Sequence, residues 1–125
     1  MEIVNTGIED TLIDVQPLSR IMGLHGFIKG EHWDYERITY DYKIGSQEKG
    51  VTYYVRIQGY AVEGDIDRGD AVVKLLTPLL GKHYYPHGIE YGEDEEFPPH
   101  LVERAHNLVV NANKAIEDYK IVENK

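Results

Sequence analysis

A chain of 125 residues with 42% hydrophobic and 28% charged content is one globular domain, 1–125, of ordinary size and able to bury a core. Its 22 acidic and 13 basic residues leave a formal charge of −9 with the basic side chains scattered, so neither nucleic acid nor a membrane surface is expected as a partner. There is no cysteine, which removes disulfides, thiol catalysis and thiolate metal sites, and no apolar run approaches the ~20 residues of a membrane span.

The opening stretch MEIVNTGIED lacks the basic and apolar regions of a signal peptide, and a cytoplasmic protein is expected. Thr11 to Val15 alternates weakly and reads as a strand. Pro17 suits a first helical turn, where its missing N–H would be unpaired anyway. Leu18, Ile21, Met22 and His25 then fall on one helical face, and Gly26 suits the position just past the end, with Phe27 packing back. These signals predict a short helix from Pro17 to His25, with His25 half-buried on its apolar stripe.

From Trp33 to Val62 two strand-like runs flank GSQEKG, the pattern of an antiparallel hairpin, and seven aromatic residues lie within it. With Ile44 opposite Val51, Tyr42 meets Tyr53, Tyr40 meets Val55 and Ile38 meets Ile57 on one apolar face. The other face pairs Lys43 with Thr52, Asp41 with Tyr54, Thr39 with Arg56, Arg37 with Gln58 and Tyr35 with Tyr60. A slip of one residue would set apolar against polar. The apolar face is expected to meet a core, and the destination of the tyrosine- and arginine-rich face is the main functional question.

Glu63 to Asp70 is a glycine- and aspartate-rich loop whose acidic spacing fits an EF-hand poorly, with Lys74 where the closing glutamate would stand, so it reads as a solvated turn. Ala71 to Leu76 fits a strand ending before Pro78 better than a helix, because Val72 and Val73 are β-branched and the run is short. Pro86-His87-Gly88 between two tyrosine-bearing runs, Gly81–Tyr85 and Ile89–Tyr91, marks a second small hairpin. After the acidic stretch Gly92–Glu96, apolar residues at Leu101, Ala105, Leu108, Val109, Ala112 and Ile116 predict a long helix from Pro99 to Tyr119, with 121–125 a frayed tail. Acidic residues before it suit the positive end of its dipole.

The expected fold class is therefore α+β: a mostly antiparallel sheet of four to five strands, with a short N-terminal and a long C-terminal helix on one face.

Four stretches, WDYERITYDYK, GYAVEGD, AVVKLLTP and GKHYYPHGIEYGEDEEFP, together resemble the YugN-like family of small proteins from bacilli and their relatives. The resemblance covers nearly the whole chain, and GKHYYPHG is its most distinctive part. It implies a cytoplasmic bacterial protein. It brings no catalytic residue, substrate or cofactor to carry over.

The most chemical-looking segment is His83 to His87, with Glu90 close behind. A divalent metal needs three or four converging ligands. Pro86 removes the helical geometry that would pair His83 with His87, and on a strand residues four apart stand roughly 13 Å apart. A hairpin tip without a metal is therefore expected, with His83, His87 and Glu90 as the weak alternative ligand set. Ser19 and Ser46 lack the strained elbow of a catalytic serine, and no phosphate-binding glycine loop occurs. Asp34 and Glu36 fall by parity at the margin of the apolar face, where a salt bridge accounts for them more simply than acid–base catalysis.

The residues thus point to a binding protein rather than an enzyme, with no cofactor. Tyr35, Arg37, Tyr54, Arg56, Gln58 and Tyr60 are its expected interface, since tyrosine and arginine are enriched in interface cores. A homodimer is the simplest form, and another protein partner the next. The alternative is a pocket on the same face, closed by the 63–70 loop, that takes a small anionic ligand on Arg37 and Arg56.

Overall fold

The computed structural model describes residues 1–30, 35–84, 88–90 and 96–123. In it, alternation along one strand organises everything else. β4 (Val51–Glu63) buries every second residue from Val51 to Gly59 and leaves the residues between them half-exposed. Along one edge it pairs antiparallel with β3 (Arg37–Gly45). Its other edge is shared: β5 (Val72–Leu75) takes the Gly59–Glu63 end and β6 (Leu79–Tyr84) takes the Val51–Arg56 end, both antiparallel. β1 (Leu12–Asp14) adds to β5, β2 (Ile28–Lys29) to β3 and β7 (Ile89–Glu90) to β6.

Among the described residues the sheet therefore has seven strands rather than four to five. β2 and β7 are two residues each, too short to carry a periodic signal. The second hairpin is present as β6–β7, although its turn residues 85–87 lie outside the described ones. Val72–Leu75 is a strand, as its β-branched residues indicate. It is separated from β6 by Leu76–Pro78, where the pairing with β4 steps by one residue.

The β3–β4 register differs from the expected one by two residues. Gly45 lies opposite Thr52, so Ile44 meets Tyr53, Tyr42 meets Val55, Tyr40 meets Ile57 and Ile38 meets Gly59. The loop chemistry sets this. Val51 N–H donates to Glu48 O at 3.2 Å, Glu48 N–H donates to Ser46 Oγ at 3.0 Å, and Gly50 sits at φ 79°, so Val51 belongs to the turn as well as the strand. A two-residue shift leaves every side chain on its face, so both faces are composed as expected.

Where β5 crosses Gly59 the backbones come too close for a side chain. A Cβ there would collide with Val73 Cγ1 and stand 3.1 Å from Lys74 O.

Both helices lie on the inner face. α1 (Val15–Leu24) starts two residues earlier than expected, because extended Asp14 already serves as its N-cap. Its end is a Schellman turn: Phe27 N–H donates to Met22 O and Gly26 N–H to Gly23 O, with Gly26 at φ 85°. Phe27 is buried and meets the Tyr42 ring edge-on at 5.5 Å, while Ser19 Oγ and Tyr40 Oη share a 2.7 Å hydrogen bond. His25 is half-buried, as expected.

α2 (Pro99–Glu123) buries Leu101, Ala105, Val109, Ala112 and Ile116 in one cluster with Ile38, Tyr40, Val55 and Ile57. Leu108 is only half-buried, one step round the helix from Val109. Asn113 is buried instead, where its Nδ2 donates to Thr6 O at 3.3 Å and to Glu117 Oε1 at 3.2 Å. The helix also runs four residues past Tyr119, so 121–123 are helical rather than frayed, with Ile121 and Val122 exposed.

Candidate functional site

Parity along β3 and β4 puts Arg37, Thr39, Asp41 and Lys43 on the same face as Thr52, Tyr54, Arg56, Gln58 and Tyr60, away from both helices. The register sets Asp41 directly opposite Arg56. The guanidinium donates to both carboxylate oxygens, Nε to Oδ1 at 2.8 Å and Nη2 to Oδ2 at 2.9 Å, with the side chains 27% and 23% exposed. Beside it Gln58 Nε2 donates to Thr39 Oγ1 at 3.4 Å, and Arg37 lies opposite Tyr60. Tyr54 meets His83 of β6 edge-on with centroids 6.5 Å apart. Lys74 of β5, opposite Tyr60, reaches Asp10 at 3.7 Å.

Five of the six residues expected on this face are thus brought together. The sixth, Tyr35, is displaced: it precedes β3, is 63% exposed, and its carbonyl accepts from Ile66 N–H at 3.0 Å. Arg37 takes the place opposite Tyr60 that Tyr35 was expected to hold. A hollow of 350 Å³ lies on the face between Arg37, Thr39, Gln58, Tyr60 and Leu76. The 63–70 loop does not border it. That loop is held by Gln16 Nε2 donating to Gly69 O at 2.9 Å and by its own acids: Asp65 Oδ1 accepts from Asp67 N–H, and Asp70 Oδ1 from Asp65 N–H. These carboxylates are occupied by backbone donors, as a turn requires.

Of the weak metal set only His83 has a described side chain. His83 stands opposite Ile89 and Glu90 opposite Lys82 in the β6–β7 ladder, and His87 lies outside the described residues. Asp34 also lies outside them, and Glu36 is exposed just before β3. Among the described residues no three histidine or carboxylate groups gather as metal ligands. His106 Nε2 lies 3.1 Å from Asn5 O, a contact between α2 and the N-terminal loop.

Burial pushes the Tyr40 hydroxyl up to about 12, partly offset by its bond to Ser19. Such a group is a poor base at neutral pH. Tyr84 hydrogen-bonds Lys82 and holds its pKa above the ordinary value, aided by the nearby charge of Glu48. Sequence reasoning missed a cleft at the start of α2. Its walls include His100 and Arg104, which read in the sequence as an ordinary polar helix face.

The described residues define a two-layer α+β domain: an antiparallel sheet with both helices on one side and a tyrosine- and arginine-bearing face on the other. The YugN-like family model matches residues 3–116, and the chain belongs to that family. It is 47% identical over 109 residues to the uncharacterised protein YlbA of Bacillus subtilis (strain 168), covering 87% of this chain and 89% of that one. It is 30% identical over 66 residues to the uncharacterised protein YugN of the same organism, 53% of this chain and 48% of that one. The crystal structure of an uncharacterised conserved protein YugN from Geobacillus kaustophilus HTA426 superposes with a TM-score of 0.82 at 45% identity, covering 96% and 98% of the two chains. No helix of the described residues is long and apolar enough to cross a membrane.

Proposed function

We propose that this is a cytoplasmic, non-enzymatic protein that self-associates through its open sheet face. The observation that carries the reading is the Asp41–Arg56 pair at the centre of that face. It is a bidentate, half-buried ion pair flanked by Tyr54, Gln58 and Tyr60, and among the described residues no helix lies over it. Arginine held this way presents a flat, neutralised surface, and tyrosine beside it supplies large contact area at low entropic cost. Charge favours a second copy here. Two molecules of net charge −9 repel, and they meet most cheaply where acids and bases cancel, as Asp41 with Arg56 and Asp10 with Lys74 do. Size permits it. Thirteen residues at ~3.3 Å and five strands at ~4.8 Å bound the face at roughly 1,000 Å², against ~800 Å² per partner in a standard interface.

Sedimentation equilibrium of wild type and the Tyr54→Ala/Arg56→Ala double variant tests this. The expected outcome is a wild-type dimer and a folded monomeric variant. A wild type that stays monomeric at high micromolar concentration removes the reading.

The small-anion reading of the same face is supported by the hollow beside Arg37. It is weakened by the engagement of Arg56 with Asp41. Thermal-shift screening against anionic metabolites, with Arg56→Ala as control, separates the two.

A further inference from the structure

A different part of the molecule has the shape and chemistry of a ligand site. Between the tip of the β3–β4 hairpin and the first turns of α2 lies a cleft of 450 Å³. Its floor is Ile44, Tyr53 and Leu101, all buried, and its exposed rim carries His100 and Arg104 on one side and Glu48 on the other. A second hollow of 340 Å³ adjoins it, sharing Glu48 and Tyr53 and adding Lys82 and Phe97. Volumes of this size, with an apolar floor and a few polar groups, are those of small-molecule sites.

Three observations identify what would fit. Arg104 and His100 stand one helical turn apart on the same face of α2, and among the described residues neither makes a hydrogen bond or ion pair. Tyr53 is 7% exposed, its ring tilted against Phe97 at 6.0 Å, yet its hydroxyl has no hydrogen-bond partner among the described residues while it borders both hollows. Glu48, the acid on the opposite rim, borders the adjoining hollow together with Lys82. The cleft thus joins an apolar floor to a positive end that is unpaired among the described residues, with the Tyr53 hydroxyl, open to solvent, beside it.

We propose that this cleft binds a small organic carboxylate with an apolar body. The planar guanidinium of Arg104 takes the two carboxylate oxygens as a fork, with His100 beside it. The body covers Ile44, Leu101 and the Tyr53 ring, and the Tyr53 hydroxyl is satisfied by an oxygen of the ligand. Glu48 and Glu96 at the rim select against a dianion such as a phosphate monoester. The cleft lies on the helix side of the sheet, so it operates independently of the proposed self-association.

Amide chemical-shift titration of the full chain tests the assignment. The probes are phenylacetate and 3-methylbutanoate as carboxylates, phenylacetamide as the neutral analogue and phenyl phosphate as the dianion. At least one carboxylate is expected to shift the amides of Gly45–Glu48, Tyr53 and His100–Arg104 saturably. Arg104→Gln, at an exposed position, is expected to weaken it by about tenfold, the share of a charge-assisted fork. Tyr53→Phe should weaken it less, with the fold intact by circular dichroism. Four outcomes overturn the proposal: no saturable shift at the cleft with either carboxylate, equal binding of phenylacetamide, tighter binding of phenyl phosphate, or an Arg104→Gln variant that binds like wild type.

Discussion

Tyr40 is the bulkiest of the fully buried side chains, and its hydroxyl is satisfied by Ser19 on α1. Folding raises its pKa from 10.0 to about 12 because burial penalises the phenolate. A group whose pKa rises on folding adds stability that is complete below the unfolded value and is lost as pH climbs through the folded one. The window here is pH 10 to about 12, and the loss across it is on the order of 2–3 kcal/mol. Tyr40→Phe gives up the bond to Ser19, costing about 1 kcal/mol at neutral pH, but has no phenol to ionise. Urea melts of both proteins should therefore show wild type ahead at neutral pH and the gap closing, then reversing, across the alkaline window. A gap that stays constant would show that Tyr40 does not titrate as described. Gly59 makes a second point at this scale. Gly59→Ala sets a methyl against Val73 and the Lys74 carbonyl, so a loss of about 1–3 kcal/mol by overpacking is expected in the same melts.

At the scale of elements, what the sequence discloses depends on whether a feature is local and periodic. Alternation of period two exposed both faces of the β3–β4 hairpin, and with them five of the six face residues. It could not fix the register, because a shift of two residues leaves parity untouched. The one available signal was Asp41 and Arg56, opposite charges that favour facing each other across a strand pair. Two-residue strands such as β2 and β7 exist only through their partners and have no signature of their own. The cleft was illegible for the same reason: Ile44, Tyr53, Lys82 and Arg104 are gathered by the tertiary fold from separate segments. In α2 the stripe was visible, yet Leu108 is only half-buried, and Asn113, which no apolar pattern could mark, is buried where the N-terminal loop offers Thr6 O to its amide. The helix gives a paired prediction. Ile116→Ala removes a fully buried side chain and should cost about 2–5 kcal/mol. Leu108→Ala, at a half-buried site, should cost about 1 kcal/mol. Equal losses in chemical denaturation would place Leu108 in the core after all.

At the scale of the whole molecule, charge and shape act in opposite directions. Among the described residues α1 and α2 cover one side of the sheet and no helix covers the other, the side proposed to meet another copy. Each copy nevertheless carries −9, and association at low ionic strength works against that repulsion, which acts over roughly 10 Å at 0.1 M salt and ~30 Å at 0.01 M. On the proposed face Arg56 and Asp41 are already paired within one chain, so a contact there would add little to the salt response. A symmetric dimer on this face should therefore tighten as salt rises from low to physiological strength, by a factor of a few, in sedimentation equilibrium. An asymmetric contact, with Arg37 and Lys43 of one copy against the acidic surface of the next, gains from attraction and should weaken over the same range. The sign of the salt dependence thus distinguishes face-to-face pairing from head-to-tail contact. Tyr54→Ala should abolish the first by removing ring area at the centre of the sheet and leave the second nearly untouched.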